Sequence, residues 1–170
     1  QALSITNTAA NDSFSESLNA SIGSATGDAT ASGSFNLLGA QATDNSSLVV
    51  GLTNTGTAGA KSGQATISLE SDGTGTSGIV PNVDLGTQTV NVSGNVFRLA
   101  QASAHTPEPV NLGDFHVSDT AEQALSLTNT AANDGFSEKL NASIGSATGD
   151  ATASGSFNLL GAQATDNSSL

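Results

Sequence analysis

A chain of 170 residues is long enough for one or two domains with a buried core. It has 15 acidic residues against 3 basic ones, Lys61, Arg98 and Lys139, and a formal charge of −12. Nucleic acid is therefore not an expected partner, because phosphate binding needs clustered Lys and Arg. Cysteine is absent, which excludes disulfides and cysteine-ligated metals, and no apolar run approaches the ~20 residues of a membrane-spanning helix.

Alternation of apolar and polar residues predicts short strands along the chain. In chain order the predicted strands cover residues 3–6, 18–22, 35–37, 48–52, 65–69 and 90–93, with Val96 and Phe97 following a break at Gly94–Asn95, and a further strand covers 110–117. Glycine-rich clusters such as Ser71–Gly78 separate the strands as turns, and no amphipathic helix is predicted. About seven short strands with turns between them are typical of an immunoglobulin-like β-sandwich. The predicted fold class is therefore all-β.

An internal repeat organises these strands. Residues 1–48 recur as residues 123–170, so the period, the difference between positions 123 and 1, is 122 residues. Only three of the 48 positions differ: Ile5 becomes Leu127, Ser13 becomes Gly135, and Ser17 becomes Lys139. A match this close indicates recent duplication. We therefore expect an immunoglobulin-like β-sandwich of about seven strands, tandemly repeated with a 122-residue period.

The prolines and the repeat period suggest where one module ends and the next begins. Residues 100–109 contain two prolines and few bulky apolar side chains, which is typical of a linker. Residues 1–99 are then a β-sandwich module lacking its first strand, and residues 110–170 are the first half of a second, near-identical module. Many inward positions are Ala, so we expect a thin core, anchored by Phe14, Phe35, Phe97 and Phe115.

The order of several short motifs resembles a bacterial surface repeat. The motifs are VNLGDFHVSD, QALSLTNTA, FSEKLNASIG, SGSFNLL, SGQATISLESDG and TQTVNVSGNVFRLA. Together they are similar to the immunoglobulin-like modules of choice-of-anchor D proteins, which are distant relatives of abnormal-spindle/hydin domains. The resemblance covers essentially the whole 122-residue unit. It implies an exported bacterial protein of the cell surface or matrix, with no catalytic residues to carry over.

Acidic residues gather around the expected junction between modules. Calcium takes six to eight oxygen ligands, often from several carboxylates. Glu108, Asp114 and Asp119 are therefore the candidate calcium ligands, and calcium is the only cofactor that the sequence suggests. The alternative is that these carboxylates are solvated and confer solubility. His105 and His116 are the only histidines, and we expect both to be surface residues.

These features together predict a structural function and no enzymatic activity. A serine nucleophile needs a base beside it, and no Gly-x-Ser-x-Gly elbow or phosphate-binding loop occurs. We expect an extracellular or cell-surface protein that builds a fibre, a matrix or an adhesin stalk. Its expected partners are copies of itself or neighbouring modules of the same chain, without direct membrane insertion.

Two alternatives remain open from the sequence. Val110, Leu112, Phe115 and Val117 would form an inter-subunit strand if subunits assemble by strand complementation. The simpler explanation is that the chain ends mark only part of a longer protein. The alternative function is a polar glycan- or host-protein-binding module, acting through loops 54–63 and 71–78 and gaining strength by multivalency.

Overall fold

The computed structural model describes residues 1–170 and confirms the all-β prediction, with 45% of the chain in strands and no helix. It therefore contains no helix that could cross a membrane. The strands are β1 (Ile5–Thr6), β2 (Ser17–Gly27), β3 (Ala29–Ser32), β4 (Ser34–Leu38), β5 (Thr43–Asp44), β6 (Val49–Leu52), β7 (Gly59–Asp72), β8 (Val83–Val96), β9 (Leu127–Thr128), β10 (Leu140–Ser143), β11 (Ser156–Leu160) and β12 (Thr165–Asp166).

The first compact unit comprises Gln1–Gly56 and Ala60–Asn95. Its larger sheet has the strand order β4-β2-β7-β8, and β2 runs antiparallel to both β4 and β7. Two smaller pairs, β3-β6 and β1-β5, are joined by a bridge between Ala2 and Val49. Side chains from both groups of strands meet in one core, an arrangement consistent with a β-sandwich.

The core of the first unit is small and aliphatic. Strand alternation directs Ala20 and Ile22 of β2 and Ile67 of β7 inward, while Ser21 and Ser68 on the same strands face solvent. The six buried residues of the cluster are Ala20, Ile22, Leu48, Val50, Ala65 and Ile67. Two of the six are Ala, so the prediction of a thin core is confirmed.

The prediction that four phenylalanines anchor this core was wrong for three of them. Phe35 is half-buried and packs against the cluster, as expected. Phe14, Phe97 and Phe115 are 91%, 51% and 49% exposed, respectively. None of these three lies within a strand, so no alternation directs their side chains inward. Strand periodicity, on which the prediction depended, does not apply at these positions.

The second compact unit, Thr57–Gly59 with Val96–Leu170, contains the second copy of the repeat. Its strands reproduce the registers of the first copy. Leu140 pairs with Leu160 and Ala142 with Phe157, just as Leu18 pairs with Leu38 and Ala20 with Phe35. The register shifts at the same step in both copies, and β9-β12 matches β1-β5 pair for pair. These two strand pairs therefore recur in the second copy, where β10 is shorter than β2 and no equivalent of β3 forms.

Gly33 allows the chain to pass from β3 to β4, which belong to different sheets. Its φ is +118°, and a Cβ at this position would overlap the carbonyl oxygen of Ser47. We expect Gly33→Ala to lower the free energy of unfolding by about 2 kcal/mol or more, from backbone strain and steric overlap. Gly39→Ala is the control, because a Cβ there would meet nothing within 4 Å. Urea denaturation measures the free energy of unfolding of both variants. Equal losses in the two would contradict the explanation by strain and overlap at Gly33.

Candidate functional site

The segment that follows β8 pairs with the second copy along its first strand. We call Phe97–Thr106 the pairing segment and Ser126–Thr130 the acceptor edge. They run antiparallel, with Ala102 opposite Asn129 and Thr106 opposite Ser126. The backbone bonds are Ser126 N to Thr106 O (2.7 Å), Thr106 N to Ser126 O (3.0 Å), Ser103 N to Thr128 O (2.8 Å) and Thr130 N to Gln101 O (2.6 Å). The contact consists of isolated antiparallel bridges and resembles the β-strand addition by which peptides bind a sheet edge.

Side chains at one end of the pairing segment add specificity to the backbone bonds. Nη1 of Arg98 donates to Asp134 Oδ1 and Oδ2 at 2.6 and 2.7 Å, and to Ser137 Oγ at 3.0 Å. The rings of Phe97 and Phe136 lie 5.8 Å apart, centroid to centroid, at an angle of 46°. Charge-assisted hydrogen bonds and aromatic pairs are both selective for geometry. The contact is therefore more specific than backbone pairing alone.

Asn129 is the fully buried polar residue at the centre of the acceptor edge. Its Nδ2 donates to the carbonyl oxygens of Glu138 and Leu160, each at 3.2 Å. Its Oδ1 accepts from the backbone amides of Ala131 and Gln101, also at 3.2 Å. Because Gln101 belongs to the pairing segment, the Asn129 side chain links that segment to three other positions of the second copy.

A similar hydrogen-bonding arrangement occurs in the first copy around Asn7, which is 7% exposed. Nδ2 of Asn7 donates to Glu16 O at 3.2 Å and Leu38 O at 2.9 Å, and its Oδ1 accepts from Ala9 N at 3.1 Å. Neither asparagine was predicted from the sequence. The available signal was a polar residue directly after an alternating strand, in Ile-Thr-Asn-Thr of the first copy and Leu-Thr-Asn-Thr of the second.

The predicted calcium ligands are not brought together into a metal-binding group. Glu108 contacts His105, with 2.7 Å between Oε2 and Nε2, and Asp119 accepts from the backbone amide of His116 at 2.9 Å. No three or more His, Cys, Asp or Glu side chains are arranged to hold a metal ion, and Asp114 is exposed. The calcium site at Glu108, Asp114 and Asp119 stays a prediction.

Val110, Leu112, Phe115 and Val117, the predicted inter-subunit strand, form no strand within this chain. Their side chains are 42%, 43%, 49% and 98% exposed, respectively. None of these four residues takes part in a strand pair or an isolated bridge. Donation of this segment to another subunit stays a prediction.

The two loops of the glycan-binding alternative are each held by local hydrogen bonds. Asp28 accepts from Asn54 Nδ2 at 2.7 Å and from Ser62 N at 3.3 Å, which ties together the ends of one loop. The other loop closes through Gly78 N and Gly73 O at 2.8 Å. These contacts fix the loops without identifying a ligand.

A second polar cluster, which sequence analysis missed, surrounds Glu16 and Asp72. Hydrogen bonds from Ser77, and then from Ser71, hold the pKa of Glu16 below its ordinary value. A hydrogen bond from the Thr74 backbone amide is the largest cause of the lowered pKa of Asp72. Every donor in this cluster is a neutral amide or hydroxyl, so the cluster is a hydrogen-bonded turn that holds ionised carboxylates.

Asp44 and Asp166, which are equivalent in the two copies, should make stability fall in acid. The Ser47 hydroxyl, and then its amide, lower the pKa of Asp44, and Ser169 does the same for Asp166. A carboxyl whose pKa is lower in the folded state stabilises the fold above its ordinary pKa, near 4, and this contribution is lost as the pH falls through the folded value. We expect urea denaturation between pH 6 and pH 2.5 to show decreasing stability below about pH 4. The Asp44→Asn variant should show a shallower decrease, and an equal slope would contradict the assignment.

Comparison with models of known protein families, with curated proteins and with solved structures found no match for this chain. The choice-of-anchor D resemblance therefore rests on the motifs of the sequence alone.

Proposed function

We propose that this chain is part of an extracellular structural repeat protein that forms a surface fibre, a matrix component or an adhesin stalk. In this proposal each 122-residue unit is an immunoglobulin-like β-sandwich, and the units are joined in tandem. The family resemblance of the motifs supports the location at the surface of a bacterium.

The observation that carries the proposal is the duplication of one local structure within one chain. Residues 1–48 and 123–170 agree in strand register, and they also agree in the side-chain bonds that close their loops. Gln41 Nε2 donates to Thr8 O and Ala9 O at 3.2 and 2.6 Å, and Gln163 Nε2 donates to the equivalent oxygens of the second copy. A unit whose strand registers and loop-closing hydrogen bonds recur along the chain suits a protein whose function is extension.

The surface charge is a second support. The formal charge of −12 includes only three basic residues, one of which, Arg98, is paired with Asp134. Like charges on neighbouring modules oppose random association and keep a long array soluble. Ordered assembly must then use specific contacts, and strand addition, as seen for the pairing segment, provides them without extensive apolar surface.

Electron microscopy of the native full-length protein, with antibody labelling of intact cells, tests the proposal. We expect labelled filaments or strings of modules with a regular axial repeat outside the cell. A calcium chelator added in parallel tests the predicted junction calcium, which would be supported by loss of regular spacing. Labelling confined to the cell interior would contradict the proposal.

A further inference from the structure

The two copies of the repeat provide an internal comparison of one acceptor edge with and without a pairing segment. In the second copy, Ser126 N and Thr130 N donate to carbonyl oxygens of the pairing segment. The equivalent residues of the first copy are Ser4 and Thr8. Their amides form no backbone hydrogen bond, although Asn7 between them has the same internal partners as Asn129.

The side chains beside the two edges also differ: those of the second copy contact the pairing segment, and those of the first copy do not. Phe136 packs against Phe97 and is half-buried, whereas the equivalent Phe14 is 91% exposed. Asp134 pairs with Arg98. The equivalent Asp12 accepts only local bonds, from Phe14 N at 2.9 Å and from Ser15 Oγ at 3.3 Å. The first copy thus presents unpaired amides, an exposed aromatic ring and a carboxylate along one edge.

We propose that the Ser4–Thr8 edge, with Asp12 and Phe14, is a binding site for a second segment with the sequence of Phe97–Thr106, donated by another repeat of the same kind. The occupant follows from the near-identity of the two copies, since this same sequence already binds the equivalent edge. Its arginine is complementary to Asp12, and its phenylalanine would cover Phe14. The proposal rests on the proposed function as a repeat protein, and it specifies how one repeat engages the next.

The pairing segment Phe97–Thr106 cannot fill both edges, because it is held by the second copy. An additional segment must therefore come from another repeat. One of the three differences between the copies lies next to this site. Gly135 has a φ of +84°, a value that strains other residues, and Ser13 occupies the equivalent position. We therefore expect binding at the first copy to move the loop that carries Ser13.

The test uses the whole 170-residue chain and a fluorescent peptide with the sequence of residues 97–106, followed by fluorescence anisotropy. We expect one saturable site per chain. A peptide methylated at the backbone nitrogens of Ser103 and Thr106 loses two hydrogen bonds and should bind at least tenfold more weakly. Ser13→Gly should strengthen binding about fivefold, because the loop can then adopt the conformation of the second copy.

Matched variants show which copy binds the peptide. Asp12→Asn should weaken binding by roughly threefold, an effect limited by the solvent exposure of this kind of ion pair. Asp134→Asn, the same change in the second copy, should not weaken it. Hydrogen exchange should show new protection at the amides of Ser4 and Thr8.

Absence of saturable binding to both the wild-type chain and Ser13→Gly would overturn the proposal. Protection confined to Ser126–Thr130 would overturn it too, because the peptide would then merely replace the chain's own segment. Neither result bears on whether the native protein forms extracellular filaments, which microscopy decides separately.

Discussion

Replacing Leu48 with alanine should lower the free energy of unfolding of the first unit by about 4 kcal/mol. Leu48 is 0% exposed and belongs to a cluster of only six buried side chains. Two of the neighbours, Ala20 and Ala65, are too small to fill the resulting cavity. The loss therefore combines the transfer energy of the side chain with an unrelieved cavity. A loss of this size is a large part of the free energy of unfolding of a small domain.

Val49→Ala is the matched control for Leu48. Val49 is the next residue, points to the other face of the strand and is 40% exposed. Its truncation should cost less than about 1 kcal/mol. Urea denaturation, read by hydrogen exchange so that the two units are resolved, measures both variants. A cost below about 1 kcal/mol for Leu48 would contradict the assigned core.

Asn129→Ala should destabilise the second unit by about 3 kcal/mol. The change leaves the carbonyl oxygens of Glu138 and Leu160 and the amides of Ala131 and Gln101 without their side-chain partner. Buried polar groups that lose their partners cost more than the net value of the hydrogen bonds themselves. The amide of Gln101 should also become more accessible to exchange, because the pairing segment loses its central contact.

The equivalent change in the first copy, Asn7→Ala, provides the control. Asn7 makes three hydrogen bonds and no contact with a pairing segment, so we expect a smaller loss of about 2 kcal/mol. Hydrogen exchange assigns each loss to its unit. Equal losses of stability in the two variants, with unchanged hydrogen exchange at the Gln101 amide, would contradict the role of Asn129 in holding the pairing segment.

Much of the fold could be predicted from local patterns. Alternation at residues 18–22 and 65–69 identified the parts of β2 and β7 that have one face packed on the core. The full lengths of β7 and β8 were not predicted, because their outer parts, such as residues 59–64, carry few apolar side chains. Backbone pairing extends a strand beyond its buried part without any side-chain signal.

The pairing segment could not be predicted for a related physical reason. Its bonds are made mainly by backbone groups, which every residue except proline carries, so the sequence AQASAHT has no distinctive pattern. The partners Arg98 and Asp134 lie 36 positions apart, and nothing local joins them. Near-identity of the two copies was the one long-range signal in the sequence. It accounts for the matching registers but did not reveal that the second copy holds the pairing segment.

Single-molecule extension of the native full-length protein tests most directly whether the 122-residue repeat is the unit of structure. An unfolding chain gains roughly 3.3–3.6 Å of contour per residue, so a unit of this length should release about 40 nm. Force–extension traces with evenly spaced unfolding events of about that length are the expected result. Traces with irregular spacing, or without discrete unfolding events, would contradict the account.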